Sequence, residues 1–431
     1  MIASKILINY KISTIRVFFV IFLLYVSTTI LTPKIDFGFV VVYPFEPFLI
    51  LISIYLLIKK KIMLITNIEK SYFLFIFISM STFFLGVINT DIVDTKAVLL
   101  IIKFFSFGFI ISISYYFVKY MTESLFEKII FIQLLFVIVY GSYVIYNFIF
   151  FPISMGDIIW GYSQEYRLIG FTGYGLSIDG IRAIGNTSVQ TGIFVGLLFL
   201  LYLSHYVLLN KKKYLIFMII AFVGELLTQS RSGLLIVFVG VLYIIFDKYN
   251  NIKLLKIFSS TVFLLTFAIY YMGLWEDIST FGTIGKIVSS EGYQDGSALQ
   301  RLKYMSDAFE YISESPFGLI FGTGYGEGYT LILIGTPFLE NLIFTALFQS
   351  GIIAFFVVLS IFYFMWHYAR KLSNTKNHNI YSATLYGVKL FIPGFFIANS
   401  IGGNSLQTDF IVPFFFFIMG TTIYKQKKEK I

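Results

Sequence analysis

The chain has 431 residues, of which 58% are hydrophobic and only 13% charged, and its mean hydropathy is +0.85. A soluble domain carries about a quarter charged residues, whereas here apolar stretches long enough to span a bilayer recur from end to end. That excludes a soluble enzyme or binding module and predicts an all-α polytopic membrane protein. The net charge of +9 is no evidence for nucleic acid, because the basic residues stand in loops between apolar runs and report topology. The absence of cysteine excludes disulfides and thiolate metal sites.

A basic start (Lys5, Lys11, Arg16) leads into an apolar run from Val17 to Leu31 with no small-residue cleavage site after it, so it reads as a retained first span. About twelve spans are expected, at roughly 15–32, 39–58, 71–88, 97–118, 129–151, 188–209, 214–228, 234–246, 257–275, 338–366, 382–398 and 410–424. An even number puts both termini on one side. Most of the 32 Lys and Arg fall in loops on that side, which makes it cytoplasmic. The whole of 1–431 is expected to form a single integral membrane domain, with two long outer loops at roughly 152–187 and 276–337; loops of that length on one face suggest work done outside.

Glu46 and Lys103 fall inside expected spans and are expected to pair with each other, while Asp91 and Asp94 read as a solvated pair rather than a cation site. In the first long loop, "YRLIGFTGYG" and "SIDGIRAIGN" are glycine-rich and carry Arg167 and Arg182. "TQSRSGLLIV" then places Arg231 between two apolar runs that are each short for a span. Burying an arginine there costs about 2.5–3.5 kcal/mol, so it should meet protein, a water-filled cavity or an anion. One reading is an ion pair with Glu225 or another intramembrane carboxylate. The other is an anion site in which the guanidinium forks across a diphosphate and Ser230 and Ser232 add donors.

The second long loop holds Ser297 and Gln300 in capping-box spacing, then Leu299, Leu302, Met305, Phe309 and Ile312 at helical spacing until Pro316. An amphipathic helix on the outer surface is expected, with Arg301 and Lys303 near its start. "GLIFGTGYGEGY", Gly318–Tyr329, lacks the third glycine of a dinucleotide fingerprint and the lysine of a P-loop, so it reads as a tight re-entrant turn. His205, His367 and His378 all fall on the cytoplasmic side of this topology, leaving no outer histidine for acid–base chemistry or metal binding; no metal site and no cofactor are expected.

Four blocks together resemble the O-antigen and capsular-polysaccharide repeat-unit polymerases (Wzy type), a superfamily shared with the O-antigen ligases. They are "EYRLIGFTGYG" with "IRAIGNTSVQTGIFVGLLFL", "TQSRSGLLIVFVGV", "ALQRLKYMSDAFEYISESPFGLIFGTGYG" and "ENLIFTALFQSGIIAFFVVL", covering about Tyr166 to Leu359 in the expected order. The resemblance implies a metal-independent glycosyltransferase in the bacterial cytoplasmic membrane, facing outward. It would join undecaprenyl diphosphate-linked repeat units with the lipid diphosphate as leaving group.

Catalytic roles are implied for Arg231, Arg301 and Glu340, and substrate contacts for Arg167, Arg182, Lys303, Ser230, Ser232, Tyr304 and Asn341. Implied partners are the lipid-linked glycans, membrane lipids and a chain-length regulator protein. One departure bears on the choice within the superfamily. Where the ligases have a histidine before asparagine, this chain has Glu340 before Asn341, which favours a polymerase over a ligase. A lipid-oligosaccharide flippase is a third reading, but such a transporter should show related halves and a charged through-pathway, and neither is visible.

Overall fold

The computed structural model describes residues 2–28, 34–36, 41–42, 46–59, 66–150, 168, 174–177, 180–183, 188–228, 230–249, 296–336, 339, 341–374, 378–402 and 411–429. The fold is an all-α membrane fold with one small sheet. In chain order the first half holds α1 (Ile2–Thr28), β1 (Lys34–Asp36), β2 (Val41–Val42), α2 (Glu46–Ile58), α3 (Asn67–Thr90), α4 (Thr95–Gly108), α5 (Ile110–Phe117) and α6 (Glu123–Phe150). There follow β3 (Tyr174–Ser177), β4 (Gly180–Ala183), α7 (Ser188–Leu209), α8 (Lys212–Thr228) and α9 (Arg231–Ile244). The last group is α10 (Gly296–Ser313), α11 (Pro316–Phe321), α12 (Glu327–Ile334), α13 (Leu342–Ser373), α14 (Ile380–Gly402) and α15 (Ile411–Glu429).

Among the described residues 6 helices are long and apolar enough to cross a membrane: Asn67–Thr90, Thr95–Tyr120, Glu123–Asn147, Val189–Leu209, Leu342–Ser373 and Ile380–Ser400. Every expected span has a helix except 257–275, which lies outside the described residues. The expected 39–58 span starts only at Glu46, because Val41–Val42 is a strand.

Local sequence explains the helix ends. Thr66 and Glu69 close a reciprocal capping box at the start of α3, and Asp94 caps α4 through the amides of Lys96 and Ala97. The centre of the bundle is α7, α9 and α14 packed on one another, with glycines at the crossings. A Cβ on Gly394 would stand 2.8 Å from Ile236 Cα, and one on Gly387 2.9 Å from Leu201 Cα. Small residues let these backbones approach where lipid supplies no hydrophobic drive.

Lys103 and Lys389, inside the bundle, are each paired with a carboxylate, as their desolvation requires. Lys103 lies 3.4 Å from Glu46, as the sequence suggested. Lys389, 2% exposed, lies 2.7 Å from Asp247 on a π-helical turn, Ile245–Tyr249, that ends α9.

The helix ends sort into two faces. Glu123, Glu127, Leu209, Lys211, Tyr214, His378 and Asn379 line one pocket, so the loops before α6, α8 and α14 share a face. At the opposite face β2, β1, β3 and β4 pair in that order. β1 is parallel to β3, and the outer pairs are antiparallel. The sheet joins the segment before α2 to the 152–187 loop.

Candidate functional site

The α8–α9 elbow is built from side chains that satisfy its backbone. Thr228 Oγ1 accepts from Ser230 N at 3.2 Å and donates to Glu225 O at 2.7 Å. Ser230 is the N-cap of α9, with Oγ accepting from Gly233 N at 3.2 Å and donating to Val189 O at 3.4 Å. Both roles of this 1% exposed hydroxyl are thus filled by the fold, where the sequence suggested a donor to substrate. An Asn, Asp, Ser or Thr just before a helix caps it before it does anything else. Ser232 is half-buried on the first turn.

Arg231 opens α9 and is exposed. The burial cost expected of it is therefore not incurred. Glu225, 0% exposed, turns Oε1 toward Gly233 at the base of the same turn, and no ion pair joins it to Arg231. An exposed guanidinium at a helix N-terminus, where the dipole also favours negative charge, is suited to an anion.

The register of α9 against α14 locates this arginine. Ile236 meets Gly394 and Asp247 meets Lys389, so the helices run antiparallel and Arg231 falls level with Asn399 and Ser400. On the other side of that helix end, Asn341 Nδ2 donates to Ser400 O and approaches Met305 Sδ at 3.9 Å. Asn341 Oδ1 accepts from Phe344 N at 3.0 Å and caps α13. At 4% exposure its side chain ties α10, α13 and α14 together.

α10 begins at Gly296, so Ser297 lies inside the helix rather than capping it. Its Ala308 and Ile312 pack with Leu339 and Phe348, with half-buried Tyr304 against the same cluster. The helix therefore runs beside the first turns of α13 instead of lying flat, and exposed Lys303 stands above Asn341. Arg301 is helical, but its side chain lies outside the described residues, as does that of Arg182, whose backbone is in register with Gly175. Arg167 and Glu340 lie wholly outside them.

The glycine turn is re-entrant, as expected, and its anchors were not foreseen. α13 breaks at Gly351 (φ 79, ψ −179), freeing carbonyls that the turn uses. Thr323 N donates to Phe348 O at 2.9 Å and Gly324 N to Gln349 O at 3.1 Å. Gln349 Nε2 returns a bond to Gly326 O at 3.2 Å. Asp94, expected to be solvated, accepts from Gly328 N at 2.8 Å. The signal for Asp94 was its position just ahead of the α4 helical run. Gly351 gave none, because its partner is distant in the chain.

The histidines lie at the face opposite to this rim. His205 is buried with Nε2 2.8 Å from Thr384 Oγ1 and its ring against Tyr214. His378 lines the pocket with Lys211, and His367 lies toward the Arg370 end of α13. Among the described residues no group of His, Asp and Glu could hold a metal.

With an exposed arginine, a capped elbow and the α10 helix gathered at one rim, the family comparison falls on these same elements. The family model described as O-antigen ligase (Wzy_C) matches residues 216–341, from within α8 to the cap of α13. This match supports a place for the chain in the O-antigen ligase/polymerase superfamily. No curated protein matches it. Arg231, Arg301, Lys303, Tyr304, Glu340 and Asn341 all lie within the matched stretch, while Arg167 and Arg182 precede it. The match supports an O-antigen polymerase- or ligase-type function for this membrane protein.

Proposed function

We propose that this protein is a repeat-unit polymerase of the O-antigen ligase/polymerase superfamily, acting at the outer face of the bacterial cytoplasmic membrane. The observation that carries the choice is the absence of a histidine at the rim. Glu340 precedes Asn341 where the ligases have histidine, and all three histidines are at the other face. The donor is a growing glycan on undecaprenyl diphosphate and the acceptor is the non-reducing sugar of a fresh lipid-linked unit.

The bond from the donor's anomeric carbon to the diphosphate oxygen breaks, and that oxygen keeps the electron pair. A new bond forms from the same carbon to the acceptor hydroxyl oxygen, whose proton passes to the Glu340 carboxylate. Arg231 clamps the departing diphosphate, where fixed positive charge is worth most as negative charge develops. Arg301 and Lys303 hold the diphosphate of the second lipid, with Arg167, Arg182, Ser232 and Tyr304 behind them.

The ligase reading, which would transfer finished polymer to an acceptor lipid, is supported by the description of the matching family. The lipid-linked material in cells lacking the protein separates the two. Single repeat units accumulating outside support the polymerase, and long unattached polymer supports the ligase. Single units confined to the inner leaflet would overturn both in favour of a flippase.

A further inference from the structure

The sequence assigns 276–337 to an outer loop, yet α11 and α12 present apolar side chains outward. Phe317 is 58% exposed, Ile320 44%, Phe321 43%, Leu331 48% and Ile332 50%. The only charged residue on these two helices is Glu327, at the first position of α12. An aqueous loop would not gather such a surface.

The height of this hairpin along α13 explains it. Trp366, with Arg370 5.1 Å above its ring, marks the end of α13 at the opposite face. Gly351 lies about 22 Å from Trp366 at 1.5 Å per residue, against a hydrocarbon core of about 30 Å. The turn that docks on Gly351 thus reaches about 8 Å inside the boundary at the Arg231 end. Its apolar face continues onto Ile353 and Phe356 of α13, 48% and 59% exposed, and near Phe84 and Ile88 of α3, 56% and 72% exposed.

The backbone of the turn meets the demand that lipid makes of an irregular segment. Residues 322–326 are buried, and the amides of Gly322, Thr323, Gly324 and Gly328 all donate to protein. The carbonyls of Thr323 and Gly326 accept from Asn89 and Gln349 side chains.

We propose that the α11–α12 hairpin is an interfacial element seated in the leaflet at the Arg231 end, with Phe317, Ile320, Phe321, Leu331 and Ile332 against the acyl chains of the bilayer. It anchors α10 from below, so that the Arg301 and Lys303 turn stands at headgroup height. The absence of cysteine makes the test direct. Single cysteines replacing Phe317, Phe321 and Ile332 in the full chain are nitroxide-labelled and reconstituted in phosphatidylcholine–phosphatidylglycerol vesicles. Phe356→Cys serves as the lipid reference and Glu310→Cys as the aqueous one.

Power saturation is then read with oxygen and with a water-soluble nickel chelate. The hairpin labels should match position 356, relaxed by oxygen and not by the chelate. Relaxation by the chelate as strong as at position 310 overturns the proposal, because the face is then in water. Shielding from both overturns it too, because protein then covers the face. Should a labelled variant fail to accumulate, Phe317→Trp in vesicles of brominated lipid gives the same decision. The added emission should be quenched, and an unquenched tryptophan sinks the proposal.

Discussion

Arg231 and Glu225 lie on either side of one elbow in opposite surroundings, the arginine exposed at the start of α9 and the glutamate fully buried beneath the same turn. Because they do not pair, removing the arginine leaves the surroundings of Glu225 unchanged, and the elbow keeps its Thr228 and Ser230 bonds. Arg231→Ala should therefore accumulate at near-normal levels while polymer disappears from gels. Arg231→Lys should also be poor, since an ammonium cannot fork across a diphosphate. Loss of the protein itself from membranes would assign the residue to structure.

Two positive-φ glycines, Gly351 within α13 and Gly335 at the end of α12, should respond to alanine to very different degrees. A Cβ on Gly351 would collide with the Ile320 carbonyl and stand 2.7 Å from Gly322 N, in a backbone region open essentially to glycine alone. Gly335, also left-handed at φ 73, has nothing within 4 Å. Gly351→Ala should sharply lower the thermal stability of the extracted protein. Gly335→Ala should cost only about 1 kcal/mol of backbone strain. Equal melting shifts for the two would mean that the interlock of the turn with α13 contributes little.

The helices were legible because long apolar runs have few other solutions in a bilayer, and the Glu46–Lys103 pair because two opposite charges inside spans must find each other. Ser230 and Asn341 were legible as polar residues at a rim but their capping bonds were not, since a capping side chain and a ligand-binding one look alike until the amide ahead of it is placed. The Gly322–Gly351 interlock and the β1–β3 pairing were not legible. Each joins short segments far apart in the chain, with no periodicity to announce them.

Lys303 and Glu310 are both exposed on α10, at different heights. Lys303 stands above the Asn341 level, and Glu310 lies between Ala308 and Ile312, which pack beside Phe348. Reversing Arg301 or Lys303 to glutamate should slow polymer synthesis about tenfold or more, the equivalent of about 1.4 kcal/mol. Glu310→Gln should change it little. Equal, mild effects at all three positions, read as incorporation of labelled repeat unit, would make α10 a passive cover.

Catalysis should be independent of histidine, since none stands at the rim. The three substitutions need care at His205 alone, where Nε2 bonds Thr384 inside the bundle, so His205→Gln should be combined with His367→Ala and His378→Ala. That triple variant should polymerise normally. If it is stably inserted yet inactive, the assignment of faces fails, and with it the preference for a polymerase. With histidine removed from the chemistry, the acceptor's proton must go to a carboxylate or to the departing diphosphate. Glu340, next to the residue that caps α13, is the candidate. Glu340→Gln should cut the rate by about two orders of magnitude or more, the scale of a lost general base, with little change in the apparent affinity for lipid-linked substrate. A near-normal rate would leave the leaving group as its own proton acceptor and rest catalysis on the arginines.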